Sequence, residues 1–142
     1  MRSESGCFPG DFARIEEEIF PKPWRESDFG NEQGCLYQSF WDGDRCIAYA
    51  YVRIVVDEGE LYRIAVLPQY RRQGLARKLL DALSKTARSM EVTTLHLEVS
   101  HLNTGAVAFY EGYGWQQTGL RKNYYGPGDH GLLMMFNLVL FQ

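Results

Sequence analysis

The sequence predicts an α/β fold organised around one mixed, α+β-type sheet. Three observations carry that expectation. Stretches with apolar residues three or four apart alternate with short β-branched and aromatic runs, in the order helix, three strands, helix, strand, helix, two strands. The strand–helix–strand run in the middle calls for a parallel pair joined by a right-handed crossover. At 142 residues, 45% hydrophobic and 23% charged, the chain suits one domain over 1–142 with a substantial core.

"DFARIEEEIF" places Phe12, Ile15 and Ile19 on one helical face, with Asp11 as N-cap. The residues ahead of it carry no clear first strand. A proline-broken connector, "FPKPWRESDFG", follows and leaves room for another helical turn over 24–29. "CLYQSF" and "RCIAYAYVRIVV" flank the turn "WDGD" and read as a hairpin, and "LYRIAVL" is a short apolar strand stopped by Pro68. From 74 to 90, Leu75, Leu79, Leu83 and Ala87 repeat every four residues, the mark of an amphipathic helix. "VTTLHLEV" is the next strand, 103–113 a further helix, and "WQQTGLRKNYY" a strand that leads through "GPGDHG" to a last apolar strand over 132–138. The ending "LVLFQ" resembles the scar of a protease-cleavable tag, so 139–142 carry no functional weight.

Composition excludes several roles. A net charge of −3 gives no footprint for nucleic acid. No apolar run approaches the roughly 18 residues of a membrane span, and the first residues lack a leader's apolar segment, so the cytoplasm is the expected location. The three cysteines, Cys7, Cys35 and Cys46, have no metal-ligand spacing, and no metal is expected. Pairing about the hairpin turn sets Cys35 opposite 50–52 rather than opposite Cys46, which favours reduced thiols.

"RRQGLARK" gathers Arg71, Arg72, Arg77 and Lys78 at a helix start, where the dipole and free N–H groups disfavour cations. A solvated basic turn is one reading. The other is an anion site, in which amides, dipole and arginines attract the same phosphate and the small Gly74 and Ala76 allow close approach. The stretch is neither a Walker loop nor a dinucleotide fingerprint.

R-R-Q-G-L-A matches the [QR]-x-x-G-x-[GA] loop of the GNAT superfamily of acetyl-CoA-dependent N-acetyltransferases. "LYRIAVLPQY" resembles that family's preceding strand, and "NTGAVAFYEGYGW" its N-x-x-A-x-x-[FL]-Y-x-x-x-G-[FW] helix. The resemblance covers about 60–125. It implies the GNAT acyl-CoA N-acyltransferase fold: a mostly antiparallel central sheet, a splayed parallel pair and about four helices. It further implies acetyl-CoA as co-substrate, its pyrophosphate on the amides of Arg72, Gln73, Gly74, Leu75, Ala76 and Arg77. Ile64, Ala65 and Val66 would pair with the pantetheine arm, and an amide near Val66 would bond the thioester carbonyl, stabilising the oxyanion.

Asn103 and Tyr110 lie two helical turns apart and face the same way. On residues alone Asn103 is a helix N-cap and Tyr110 a core aromatic. The resemblance makes Asn103 a CoA contact and Tyr110 the general acid that protonates the departing thiolate. Glu98, between Leu97 and Val99, is either a solvent-facing edge residue or a costly buried carboxylate. An α-ammonium group of pKa about 8 cannot attack a thioester until a base takes its proton. His96 shares the strand face of Glu98 and reads as a packing histidine.

Within the superfamily the chain resembles the bacterial ribosomal-protein-alanine N-acetyltransferases through "LEV" at 97–99, "AFYE" at 108–111 and "RKNYY" at 121–125. That resemblance makes Glu98 the base and Tyr110 the acid, and sets Tyr124 and Tyr125 along the peptide groove. "FPKPWRESDF" resembles the F-x-x-x-W substrate loop, with one extra residue before Trp24. The implied acceptor is a peptide or protein N-terminus, a ribosomal protein among the candidates, with no direct nucleic-acid or membrane contact, for a monomer or weak homodimer. Departures fall on the substrate side. Arg63 replaces a small polar residue, "GPGDHG" is shorter than the family's loop, and His130 stands where an acid is common. They leave two alternatives: acetylation of a small-molecule amine, or a CoA-binding module without catalysis.

Overall fold

The computed structural model describes residues 1–141. Seven strands form one sheet in the order β1-β2-β3-β4-β5-β7-β6. In chain order the elements are β1 (Arg2–Ser5), α1 (Pro9–Ile19), β2 (Cys35–Asp42), β3 (Arg45–Val55), β4 (Glu58–Val66), α2 (Leu75–Ser89), β5 (Thr94–Ser100), α3 (Thr104–Tyr113), β6 (Gln116–Gly126) and β7 (Asp129–Asn137). Every neighbouring pair is antiparallel except β4 and β5, which α2 joins in parallel.

Phe12 anchors α1 on one face of the sheet, its ring stacked 4.5 Å from Tyr49 and 5.5 Å from Tyr37. Alternation sends Ala48, Ala50 and Val52 to the opposite face, where α2 lays Leu79, Leu80 and Leu83, all buried. Small residues on β3 thus admit a helix closely, while its tyrosines meet the thinner, aromatic layer under α1.

Several expectations are corrected. There are three α-helices, not about four. Over 24–29 the chain makes only a 3-10 turn, Glu26–Asp28, after Pro21 and Pro23, whose missing N–H groups obstruct an α-helix. Helix α1 starts at Pro9 without a side-chain cap, and Asp11 instead places its charge in the first turn. A first strand does exist: β1 pairs with β2, and its sequence RSES hides it because an edge strand this exposed needs no apolar alternation. Strand β4 begins at Glu58, ahead of its apolar run, and β6 with β7 extends through most of "GPGDHG".

Cys35 lies opposite Arg53, one place beyond the expected 50–52, because a bulge between Phe40 and Trp41 shifts the register. The three cysteines are free thiols. After β7 the chain turns once more (Leu138–Leu140), burying Leu138 and bringing Phe141 6.3 Å from Phe136. Gln142 lies outside the described residues.

Candidate active site

The parallel pair opens almost as soon as it forms. β4 and β5 align only at Glu58–Thr94, Gly59–Leu95 and Glu60–His96. Immediately beyond, β4 bulges: Val52 faces Leu61 and Tyr51 faces Arg63, which leaves Tyr62 as the extra residue. Strand β5 continues against β7, so the far half of β4 has an unpaired edge. Leu67 donates to Ile47 O of β3 at 2.9 Å, and alternation then points Ile64 and Val66 into the gap. Ala65 turns its main chain to Tyr49 of β3. The pairing expected of all three residues therefore falls to Ile64 and Val66.

At the end of this gap stands the basic turn. Arg72 and Gly74 both take left-handed backbone, with φ of +63° and +75°. Gly74 is the N-cap of α2, no side chain caps the helix, and no acid occupies its first turn. A Cβ at Gly74 would meet nothing within 4 Å. The first-turn amides thus open onto free space, a fit for a pyrophosphate. Two of the four cations are engaged: Arg71 Nε donates to Val66 O at 3.0 Å, and Arg77 lies 5.2 Å over the Tyr113 ring. Arg72 and Lys78 are exposed.

Glu98 lies on a central strand, not an edge, and its side chain is only 16% exposed. Its Oε1 is 3.6 Å from Arg121 Nε, and Oε2 is buried with no hydrogen-bond partner among the described residues. Gly131 makes room for it: a Cβ there would fall 2.7 Å from Oε2. The carboxylate borders an open groove of about 620 Å³, lined also by Tyr62, His96, Arg121, Leu133 and Glu60. His96 turns away from Glu98 to Glu58, Nε2 to Oε1 3.1 Å.

Tyr110 is buried on α3 beside Trp115, ring centroids 5.7 Å apart. Burial alone pushes its phenol up to about 12, so it keeps its proton across the neutral range. Asn103 caps α3, its Oδ1 accepting from Ala106 N at 3.2 Å, and its amide NH₂ is left to donate elsewhere.

The aromatic candidates stand apart. Trp24 rests against Phe29 and Tyr51 on the β3–β4 side. Tyr124 and Tyr125, edge to face at 4.9 Å, are half exposed on β6. Arg121 lies 5.2 Å from the Tyr124 ring, and burial together with the Glu98 charge pushes the Tyr125 phenol up.

Trp24 exposes a residue that the sequence analysis missed. Its backbone N–H donates to Glu16 Oε1 at 2.9 Å. Glu16 is wholly buried, bonded also by Tyr49 and by both ends of the Arg63 guanidinium. That guanidinium lies over Phe20 at 4.2 Å and Trp24 at 5.0 Å. Arg63 therefore turns toward α1 and the Trp24 connector. The signal was available: Phe12, Ile15, Glu16 and Ile19 share one helical stripe, so Glu16 had to face the core.

A family model for the GNAT acetyltransferases matches residues 2–115. The chain belongs to the GNAT acetyltransferase family. As a GNAT member it is an acyltransferase, and acetyl-CoA is its co-substrate. This GNAT chain is 39% identical to the ribosomal protein bS18-alanine N-acetyltransferase of Escherichia coli, over 81% of its length and 79% of the relative's. It is 38% identical to the Haemophilus ducreyi enzyme of the same name, over 84% and 86%. The crystal structure of the ribosomal-protein-S18-alanine N-acetyltransferase from Escherichia coli superposes with a TM-score of 0.86 at 29% identity, covering 96% of this chain and 94% of that one. The family match ends before Tyr124 and Tyr125, so it says nothing of them. Among the described residues no group of His, Cys, Asp and Glu could hold a metal ion, and no helix is long and apolar enough to cross a membrane.

Proposed function

We propose that this enzyme transfers acetyl to the N-terminal α-amino group of a protein, of the ribosomal-protein-alanine type that its relatives' names describe. The observation that carries the reading is Glu98: a carboxylate with one unpartnered buried oxygen, set in an open groove beside the gap between β4 and β5.

A chain end in extended form would enter this groove, and Trp24, Tyr124 and Tyr125, which stand outside its lining, would meet the residues that follow. The Glu98 carboxylate takes the proton of the incoming ammonium, directly or through a water, leaving an amine able to attack. Bound acetyl-CoA supplies the activated thioester. The amides of Arg72 to Arg77 would hold its pyrophosphate, and the Asn103 side chain would make a further CoA contact. Ile64 and Val66 would offer their main chain to the arm, and an amide near Val66 would bond the carbonyl oxygen where negative charge develops. As the C–S bond breaks, Tyr110 would deliver its phenolic proton to the leaving sulfur, and the proton shed by the acylated nitrogen would restore the phenol.

A panel of N-terminal peptides, alanine-first among them, incubated with enzyme and acetyl-CoA and read by mass spectrometry, tests the proposal. Acetylation confined to the α-amino group is expected. Turnover of polyamines or aminoglycosides with every peptide untouched would replace the acceptor, and acetyl-CoA binding without turnover on any amine would remove catalysis altogether.

A further inference from the structure

His130 sits where the β6–β7 ladder is interrupted. Arg121 pairs with Gly131 and Gly126 with Asp129, so residues 122–125 of β6 stand opposite His130 alone. The strand bulges there, and Asn123 takes a φ of +54°. The His130 ring stands in for the absent ladder, its Nδ1 accepting the Asn123 N–H at 2.9 Å. A second tie runs from Gly128 N to Asn123 Oδ1 at 2.8 Å.

His101, just after β5, backs this ring, the two imidazoles stacked 4.8 Å apart at 21°. His101 Nδ1 is 2.9 Å from the His130 N–H and 3.3 Å from the His130 carbonyl oxygen. A backbone N–H can only donate, and it is the nearer of the two, so Nδ1 of His101 carries a lone pair. The Asn123 N–H fixes Nδ1 of His130 in the same way. Both rings are then neutral, with their proton on Nε2.

The bulge carries Tyr124 and Tyr125. Around Tyr125 the charged groups are Glu98 from β5, Asp129 from β7 and Arg121 from β6. Asp129 is bonded by the Ser100 hydroxyl, and Lys122 is exposed in the bulge itself.

We propose that His130, seated on His101, is a positioning residue for the acceptor: as a neutral Nε2–H imidazole it fixes the 122–125 bulge, and with it Tyr124 and Tyr125, against a bound peptide. The inference rests on the reading of these tyrosines as the acceptor wall.

His130→Asn sets Oδ1 where Nδ1 stood, whereas His130→Gln sets its oxygen at the place of Nε2. A general loss of packing affects both variants alike; a specific acceptor does not. His130→Asn is expected to keep the peptide KM within about twofold of the parent, and His130→Gln to raise it roughly tenfold, with acetyl-CoA affinity unchanged in both. Equal peptide KM values for the two variants overturn the proposal while leaving the acetyltransferase reading intact. Independently of turnover, the Asn123 amide should exchange slowly with solvent in the parent and in His130→Asn, and fast in His130→Gln. Fast exchange in the parent removes the latch. Slow exchange in a parent that acetylates no peptide sinks the acceptor reading, and the wall with it.

Discussion

Glu16 on α1 and Arg63 on β4 form an ion pair whose carboxylate has no exposed surface at all. The pair also holds the Trp24 backbone, so one buried charge joins the first helix, the sheet and the connector that carries Trp24. Removing Arg63 leaves that charge without its counter-ion. Arg63→Met is expected to cost about 3–5 kcal/mol in urea denaturation. Glu16→Gln together with Arg63→Met, which leaves no charge, should recover part of the loss. A single-variant cost below about 1 kcal/mol would mean the pair is not holding the fold.

Replacing Glu98 with Gln keeps the volume and removes the proposed base. Turnover of peptide amines is expected to fall roughly 10²–10⁴-fold with little change in acetyl-CoA affinity. Gly131→Ala should act on the same atom by another route, since its methyl group would crowd Oε2. Its turnover should fall as well. An unaffected Gly131→Ala enzyme would show that the carboxylate can move without penalty.

Tyr110→Phe is expected to lower turnover at least tenfold and leave acetyl-CoA binding unchanged. Because the phenol titrates near 12, an alkaline limb below about pH 10 in the activity profile must belong to another group. Stability carries the complementary signature. The unfolded phenol releases its proton near pH 10 and the folded one only near 12, so the unfolded state holds fewer protons between these values. Stability should therefore fall as pH rises through that window, and the slope should be shallower in Tyr110→Phe. Denaturant midpoints measured across the window check it.

Val56 makes the turn between β3 and β4 with a φ of +59°, while 88% exposed. A β-branched residue in left-handed backbone is strained, and its exposed side chain gains little in return. Val56→Gly should raise stability by about 0.5–1 kcal/mol, seen as a higher Tm. A lower Tm would mean that the valine makes contacts worth more than its strain.

The sequence announced those elements whose physics is local. Leu75, Leu79, Leu83 and Ala87 needed only a helical period, and Arg72 with Gly74 only the misplaced charge of a helix start. Glu98 was legible as a carboxylate among apolar neighbours, although its Gly131 niche required the β5–β7 register. What escaped notice depended on partners distant in the chain. Glu16 and Arg63 lie 47 positions apart, and nothing near Arg63 says that it reaches α1. The bulge at Tyr62 has no residue type of its own, because it is set by how two strands fail to match. β1 was invisible for the opposite reason, being polar on both faces.

The three residue pairs between β4 and β5 have a consequence for how the molecule comes apart. They are the narrowest seam in the sheet, with four strands on one side and three on the other. Without co-substrate, the two half-sheets share little main-chain bonding there and are held together mainly by the side-chain core that spans them. A thioester arm laid along Ile64 and Val66 becomes, in effect, an eighth strand of foreign covalent chemistry. The charged enzyme would then resist opening along this seam more than the empty one.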